Sequence, residues 1–298
     1  MHFHKDLHMI YKIFFLLTPF LISTAFAIAP SKRIENFSKL YKLETIDKTK
    51  KESVQRLINY AKMCQAAFKS DKFIHSLYPK AAIFKGEKNH VKVFIRFNKK
   101  IQHQDVIIRG SHGFKNWIEN VKLFKKKDRW ARGVKVHIGF YNIAREVYSL
   151  IKGSLNPNYS TTVSGHSLGG SAAVLVGLYL EHFKFENIKV LSFGQPRVTN
   201  KRGAKKLNGF SLQRIAHADD IVTKLPPKII TGYRHFGNLF ELDGYKSWTG
   251  SFIEDSKDTD EAIDTWKKLE SGEIEVQTNI KSHNIINYLK RLNGLLKY

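Results

Sequence analysis

The residues best suited to chemistry form the pentapeptide Gly165-His166-Ser167-Leu168-Gly169. The segment 161–164 before it has the β-branched composition of a strand, and the small, apolar segment 170–175 after it is typical of a helix. A serine between a strand and a helix, flanked by glycines, can occupy a very tight turn. The pattern predicts Ser167 as a nucleophile for acyl transfer, with the Leu168 backbone N–H placed to bind the oxyanion.

A serine hydroxyl becomes a good nucleophile when an imidazole takes its proton and a carboxylate orients that imidazole. Where the serine lies between a strand and a helix, the acid and then the base usually follow it along the chain. Asp219 and Asp220 follow a predicted strand, and either could point inward. The downstream histidines are His182, His217, His235 and His283. The first lies in the helix after the serine and the second lies close to the acids, so spacing leaves His235 and His283 open.

Hydrophobic periodicity predicts the elements that must position these side chains. Helices are predicted at 50–69, 138–152, 168–183 and 285–296. Strands are predicted at 91–97, 105–108, 160–164, 188–193 and 212–216, with the first two as neighbours. Alternation of strand and helix requires crossover connections. The predicted fold class is therefore α/β, with a mainly parallel central sheet and helices on both faces.

The N-terminus has the three parts of a secretory signal peptide. Lys5 and Lys12 precede a short apolar run at 13–22, and Ala25-Phe26-Ala27 matches a cleavage site. We therefore predict a signal peptide at 1–27, cleavage after Ala27, one domain at 28–298, and a secreted or periplasmic protein. A membrane anchor is the alternative, although Pro19 interrupts the run and its apolar length is short for a bilayer span. The single cysteine, Cys64, lies on the apolar face of the first helix and is predicted to be buried.

The chain is strongly basic, with 50 Lys and Arg against 26 Asp and Glu and a formal net charge of +24. No zinc-finger spacing, basic region before heptads or aromatic RNA-binding strand motif is present, so nucleic acid is not the expected partner. The cations are densest at 122–135 and 201–206. They form either a solvated surface or a surface attracted to anionic lipid, where each cation contributes about 1 kcal/mol.

Several blocks occur in an order that resembles the class 3 lipases, the fungal-type, Rhizomucor-like triacylglycerol lipases. The resemblance runs from about Asp105 to Tyr288. Its blocks are 107–111, 116–118, 136–140, 165–170, 193–198, 220–222, 225–227 and 232–235. It implies an α/β-hydrolase fold and a Ser-Asp-His triad with no metal or organic cofactor.

The resemblance also implies roles for particular residues. The acid is the aspartate before an Ile-Val or Pro-Val pair and upstream of Leu-Pro-Pro, which favours Asp220 over Asp219. The base is His283, in a short block that ends in Tyr288, and His235 is then structural. Thr223 departs from the family, which commonly has proline there.

Two further features follow from the same resemblance. Ser111 would be the second oxyanion donor, through its backbone N–H and its hydroxyl, rather than an ordinary turn residue. The segment 112–120 would be a lid that covers the site in water, with Phe114, Trp117 and Ile118 as its apolar residues. The alternative is a fixed loop that packs Trp117 into the core.

The predicted function is hydrolysis of carboxylic esters of lipids through an acyl-enzyme, with a lipid ester as the partner. A phospholipase, a short-chain esterase and an acyltransferase could use the same triad. A basic lipid-surface or nucleic-acid binding protein on an inactive hydrolase scaffold is the alternative of another class. Peripheral contact with an anionic membrane is a further possible partner interaction, and the sequence makes no prediction of oligomeric state.

Overall fold

The structure is a computed structural model that describes residues 51–109, 124–243, 247–251, 260–271 and 281–296. Contacts divide the chain into two units, Met1–Lys42 and Leu43–Tyr298, and all described residues belong to the second. The predicted signal peptide therefore lies outside the described residues. Within them, no helix has the length and apolar character needed to span a bilayer.

Two sheets are formed by the described strands. The strands are β1 Ala82–Lys85, β2 Lys92–Asn98, β3 His103–Arg109, β4 Lys125–Asp128, β5 Val134–His137, β6 Ser160–His166, β7 Ile188–Phe193, β8 Thr199–Asn200, β9 Leu212–His217, β10 Tyr233–Arg234, β11 Asn238–Asp243 and β12 Ser247–Ser251. The central sheet has the order β1-β2-β3-β6-β7-β9-β11-β12. Neighbouring strands from β3 to β11 pair in parallel, while β1, β2 and β12 join antiparallel at the edges. The fold is the predicted mainly parallel α/β arrangement.

Helices cover both faces of the central sheet. They are α1 Lys51–Ala66, α2 Asp71–Leu77, α3 Ile138–Ile151, α4 Leu168–His182, α5 Lys201–Lys206, α6 Lys228–Thr231, α7 Asp260–Ser271 and α8 Ile285–Leu295. Strand residues alternate between the faces, so Phe94 and Ile107 pack in one cluster with α1 and α8. Val93 and Val106 pack in the other cluster with α3 and α4. Helix α4 is buried almost all round, which places the residue before it, Ser167, at the centre of the fold.

A smaller antiparallel sheet has the strand order β10-β8-β5-β4. Two of its strands are connected directly to elements of the central fold. Strand β5 runs into α3, and β8 follows β7 after a short loop. The backbone N–H of His137 in β5 donates to the carbonyl of Val198 at 3.0 Å, which ties this sheet to the chain that leaves β7.

The predicted helices and strands are confirmed, with shifts of a few residues at their ends. Cys64 is buried at 1% exposure, as predicted. Sequence periodicity did not indicate β1, β4, α2, α7 or the β11-β12 hairpin. Strand β4 shows no alternation of polar and apolar residues. It consists of three lysines followed by Asp128, and the residue that it buries is this aspartate.

Candidate active site

Ser167 occupies a strained turn at the carboxyl end of β6. Its backbone has φ 60° and ψ −128°, in the left-handed region that a residue with a Cβ atom rarely adopts. The glycine two residues earlier makes this turn possible: a Cβ atom on Gly165 would lie 2.3 Å from the carbonyl oxygen of Gly169. The G-x-S-x-G pattern thus reflects the closure of the turn as well as the serine itself.

The hydroxyl of Ser167 is buried and makes no hydrogen bond to any residue that the structure describes. Its backbone N–H donates to the carbonyl of Phe193 at 2.9 Å, which fixes the turn against the end of β7. Leu168 begins α4, and the first N–H groups of a helix have no partner within it. The turn therefore presents a serine oxygen and a backbone donor at one helix N-terminus.

Burial separates the two candidate acids. The side chain of Asp219 is 65% exposed and forms an ion pair with Arg291 on the surface. The side chain of Asp220 is fully buried at 0% exposure and contacts His283. Asp220 also accepts a 3.0 Å hydrogen bond from the Val222 N–H, which caps the short 3-10 helix Ile221–Lys224. Of the pair, only Asp220 points into the site.

His283 pairs with Asp220 through Nδ1, at 2.8 Å and 3.0 Å from the two carboxylate oxygens. An ionised carboxylate can only accept, so Nδ1 carries the ring proton. The lone pair of Nε2 is then the basic position of this ring. The Asp220–His283 pair has the hydrogen bond that a general base needs for its orientation.

Ser167, Asp220 and His283 gather around the carboxyl ends of β6 and β7. The ring of His166, directly before the serine, lies 4.6 Å from the His283 ring between centroids. His166 Nε2 donates to the backbone carbonyl of His283 at 2.7 Å. Gly194, directly after β7, is the shared neighbour: a Cβ atom there would lie 2.9 Å from His283 Cε1 and 3.0 Å from Asp220 Oδ2. The structure thus places the Asp220–His283 pair against Gly194, and the backbone of Ser167 is hydrogen-bonded to Phe193, the residue before that glycine.

The other downstream histidines have different neighbours. His182 is exposed near the end of α4. His217 Nε2 donates to the carbonyl of Ser282 at 3.0 Å. His235 is buried, and its Nε2 donates to the carbonyl of Thr223 at 2.7 Å, which supports the turn after Asp220. None of these rings makes a hydrogen bond to Asp220 in the described part of the chain.

Tyr288 and Gly194 are parts of this site that the sequence analysis did not assign. The hydroxyl of Tyr288 donates a short hydrogen bond to Asp220 Oδ2, the oxygen that also accepts from His283 at 2.8 Å. Gly194 has φ 59°, and a Cβ atom would lie 3.0 Å from the Tyr288 hydroxyl. The one sequence signal for this close contact is the glycine itself, which follows the strand that ends at Phe193.

Electrostatics hold Asp220 in its ionised form. Burial alone would raise the pKa of its carboxyl, but the charge and hydrogen bond of His283 and the hydrogen bond from Tyr288 bring it below its ordinary value. Burial and the neighbouring carboxylate raise the pKa of the Tyr288 hydroxyl well above 10.0, so this hydroxyl stays protonated and donates. Asp220 is thus a permanent anion beside the His283 ring at neutral pH.

We predict that Tyr288→Phe lowers kcat about tenfold and leaves KM nearly unchanged. Phenylalanine keeps the ring contacts of Tyr288 with His166, His217 and Phe193. The substitution removes one hydrogen bond to a charged group, worth about 1.5–3 kcal/mol, and so loosens the carboxylate that orients His283. Steady-state kinetics on a soluble ester would measure this split between kcat and KM.

Tyr60→Phe is a matched control for Tyr288→Phe. Tyr60 donates to the buried carboxylate of Asp105 at 2.6 Å, away from Ser167. Both variants should lower the melting temperature, and only Tyr288→Phe should lower kcat. An equal loss of kcat in the two variants would show that the hydrogen bond at Asp220 acts only through general stability.

Buried histidines make the fold sensitive to acid. Burial lowers the pKa of His137 to about 4, with Lys125 nearby, and burial lowers the pKa of His166 to about 3. Burial also lowers the pKa of His217 and, to a much greater degree, that of His235. An unfolded chain binds these protons at about pH 6.5, whereas the folded chain does not.

We predict that the free energy of unfolding is highest above about pH 6.5 and falls steadily toward pH 4. His137 alone contributes a fall of about 3 kcal/mol across this window. Carboxylates with lowered pKa values lose their stabilising effect only below about pH 4. The decline in unfolding free energy between about pH 6.5 and pH 4 is therefore due to the histidines. Thermal unfolding between pH 7.5 and 4.5 would measure the decline.

His137→Asn tests the source of this acid sensitivity. Asparagine can replace His137 Nδ1 as the acceptor for the Gly139 N–H at the start of α3, so the cap is retained. The number of protons taken up on unfolding sets the slope of the unfolding free energy against pH, and this number should fall by about one in the variant. The same substitution at exposed His75 should leave the slope unchanged. A melting temperature that is constant or rising toward pH 4.5 would contradict the assignment.

Four predicted site residues lie outside the described residues: Ser111, Phe114, Trp117 and Ile118. Their roles as oxyanion donor and lid therefore stay predictions. Within the described ranges no cluster of His, Cys, Asp and Glu could hold a metal ion.

Comparison with known proteins agrees with this fold. Residues 106–229 match the family described as lipase (class 3). The chain is 33% identical over 169 residues to a secreted mono- and diacylglycerol lipase 1 from Fusarium solani, covering 53% of this chain and 50% of that protein. It is 32% identical over 147 residues to a lipase from Rhizomucor miehei, covering 45% of this chain and 40% of that protein. The chain spans about half the length of the curated relatives it matches.

Solved structures support the same fold. Lipase II from Rhizopus niveus matches with a TM-score of 0.59 at 24% identity, covering 71% of this chain and 89% of that chain. The Lip2 lipase from Yarrowia lipolytica matches with a TM-score of 0.55 at 22% identity, covering 65% and 80%. The parallel sheet and the strained serine turn are those of the α/β-hydrolase fold. Within residues 106–229 the chain is similar to the class 3 lipases.

Proposed function

We propose that the protein hydrolyses carboxylic esters of lipids, with Ser167 as nucleophile, His283 as base and Asp220 as the acid that orients it. The observation that supports this most is the buried Asp220–His283 pair at 2.8 Å beside a serine held in a strained turn. Strained, buried and partly unsatisfied polar groups are costly to fold and are concentrated at functional sites. The arrangement also argues against an inactive scaffold, which would have no reason to keep a buried Asp–His pair beside a strained serine turn.

The reaction proceeds by two acyl transfers. His283 Nε2 accepts the hydroxyl proton as Ser167 Oγ bonds to the ester carbonyl carbon, and the carbonyl oxygen becomes an oxyanion. The tetrahedral intermediate then expels the alcohol, which takes the proton from His283 and leaves an acyl-enzyme. A water molecule, deprotonated by the same imidazole, attacks the acyl-enzyme and releases the fatty acid and the free serine. Asp220 stays ionised throughout and stabilises the imidazolium.

Two donors would stabilise the oxyanion, each worth about 3 kcal/mol. Leu168 N–H is the first, since it lies at the start of α4 next to the nucleophile. Ser111 is the second by family resemblance. The segment 112–120, with Phe114, Trp117 and Ile118, is proposed to cover the site in water and to move aside at a lipid surface.

Partial glycerides are the proposed substrate class, because the Fusarium solani relative is named a secreted mono- and diacylglycerol lipase. The same name supports export of this chain. Removal of 1–27 by cleavage after Ala27 and a single domain at 28–298 are proposed from the sequence alone. Contact with an anionic membrane is proposed as part of the same function, since the chain has a net charge of +24. Triacylglycerols, phospholipids and acyl transfer to an alcohol other than water are the competing uses of this triad.

A substrate panel and a covalent probe test the proposal together. We expect turnover of p-nitrophenyl esters and of monoacyl- and diacylglycerol dispersions, compared with triglyceride emulsions and phospholipid vesicles. A fluorophosphonate probe should label the protein, and peptide mass spectrometry should find the adduct on Ser167. Labelling of another residue, or no labelling and no turnover of any ester, would overturn the proposed hydrolysis. Preferential turnover of phospholipid would keep the mechanism and replace the substrate class.

A further inference from the structure

The smaller sheet brings together the two basic segments that lie far apart in the sequence. Strands β4 and β5 pair with Lys127 directly opposite Lys135. Strand β5 pairs with β8, and α5 begins at Lys201 directly after β8. A Cβ atom on Gly133, in the turn before β5, would lie 3.9 Å both from Lys127 Cε and from Lys206 Nζ. The hairpin and α5 therefore meet at Gly133, and their exposed cations are together called the basic surface.

This basic surface consists of eight exposed side chains: Lys126, Lys127, Arg129, Lys135, Lys201, Arg202, Lys205 and Lys206. None of them forms an ion pair with a described residue. Two acids on neighbouring elements are engaged elsewhere, because buried Asp128 in β4 pairs with Arg145 and Glu181 in α4 pairs with Arg132. Like charges placed opposite each other in a sheet are destabilising, and no ion pair with a described residue offsets this repulsion. An anionic partner would relieve it.

Exposed apolar side chains lie beside these cations. Phe124, directly before β4, is 66% exposed, and Ile229 and Ile230 in α6 are 72% and 44% exposed. Lys125 of β4 links Phe124 to α6, because its Nζ donates to the carbonyl of Thr231 at the end of α6 at 3.0 Å. Large exposed apolar residues next to a cluster of lysines are typical of a surface that rests in the headgroup region of a bilayer. Isoleucine has no flat face for stacking on bases, so the combination favours lipid over nucleic acid.

We propose that this surface docks the protein on an anionic phospholipid membrane, with the cations among the headgroups and Phe124, Ile229 and Ile230 inserted below them. The binding itself does not depend on ester hydrolysis. Its use in reaching the substrate rests on the proposed function. The carbonyl of Val198 accepts a hydrogen bond from His137 of β5, and Val198 follows Gly194 of the site by four residues. Four residues span at most about 14 Å, so a docked sheet brings the site close to the lipid.

Charge-neutralised variants of the full chain test the docking surface. The first variant combines Lys127→Gln, Lys135→Gln, Lys205→Gln and Lys206→Gln. The matched control combines Lys62→Gln, Lys72→Gln, Lys99→Gln and Lys100→Gln, four exposed lysines elsewhere that give the same change in net charge. Binding is measured by co-sedimentation with phosphatidylcholine vesicles that contain 30 mol% phosphatidylglycerol, and with vesicles of phosphatidylcholine alone.

The unchanged chain should bind the anionic vesicles, bind the neutral vesicles far less, and dissociate in high salt. The first variant should lose about 1000-fold in partition coefficient, and the control should lose less than about threefold. Equal losses in the two variants would overturn the assigned surface in favour of net charge alone. No binding of the unchanged chain to anionic vesicles, with salt-sensitive binding to a DNA or RNA duplex instead, would overturn it in favour of nucleic acid.

Two further readouts separate insertion and hydrolysis from charge. Phe124→Trp should give a blue-shifted emission on anionic vesicles, and unchanged emission in the bound state would exclude insertion at this position. Ser167→Ala should bind the vesicles as the unchanged chain does. The first variant should retain turnover of a soluble short-chain ester. Failure of the proposed hydrolysis would remove turnover in every variant and leave this pattern of binding intact.

Discussion

Ser167→Ala is expected to lower kcat on any soluble ester by about a million-fold, the loss found when the nucleophile of a serine triad is removed. The hydroxyl of Ser167 is the group presented by the strained turn, so the proposed covalent step would lose its nucleophile. Alanine keeps the Cβ atom, so the turn retains the same strain. The Ser167 hydroxyl makes no hydrogen bond to a described residue, so its removal should cost little stability.

Ser171→Ala is the matched control for this substitution. Ser171 is buried one turn along α4, and its hydroxyl contacts the carbonyl of Pro196 at 3.4 Å. It should retain nearly full kcat, with a melting temperature close to that of Ser167→Ala. Active-site titration with a fluorophosphonate before the assay guards against traces of other esterases. A Ser167→Ala protein that keeps even one hundredth of the turnover would contradict the nucleophile assignment.

The serine turn could be predicted from sequence because its determinants are local. Gly165, Ser167 and Gly169 lie within five residues, and the constraint on Gly165 comes from the carbonyl of Gly169 itself. The flanking strand and helix also carry their own periodicity. Local steric rules and local patterns are both visible in a short stretch of sequence, so the prediction required no knowledge of the remaining chain.

The partners of the serine could not be selected in the same way. Asp219 and Asp220 have the same chemistry and adjacent positions, and only tertiary packing buries one and pairs the other with Arg291. His235 and His283 were equally open from spacing, although one supports the Thr223 carbonyl and the other contacts Asp220. Family resemblance favoured one of each pair, since a family pattern encodes tertiary contacts that spacing does not.

Tyr288 and Gly194 show a further reason for the limit of sequence reasoning. Their importance arises from one crowded point where β7, the turn after β9 and α8 meet, and no single segment records this crowding. The basic surface is similar: the segments 122–135 and 201–206 are evident in the sequence, but their contact at Gly133 depends on the pairing of β5 with β8. Contacts between distant segments are products of the fold.

Asp220→Asn is expected to lower kcat by about ten-thousand-fold with little change in KM. Asparagine can still accept the hydrogen bond from the Val222 N–H, so the turn that follows should survive. Its uncharged amide cannot stabilise an imidazolium. It can also donate to His283 Nδ1, which would then give up its proton and leave Nε2 protonated, the wrong tautomer for accepting the serine proton.

Asp219→Asn is the control for Asp220→Asn, because it makes the same chemical change one residue away on an exposed side chain. Its kcat should stay within about threefold of the unchanged chain, as the loss of a surface ion pair is worth about 1 kcal/mol or less. The double variant Ser167→Ala with Asp220→Asn should be no slower than Ser167→Ala alone, since members of a triad act as a unit. A further large loss in the double variant would mean that Asp220 acts by another route. Equal losses at Asp219 and Asp220 would mean that local charge, rather than the buried contact with His283, sets the rate.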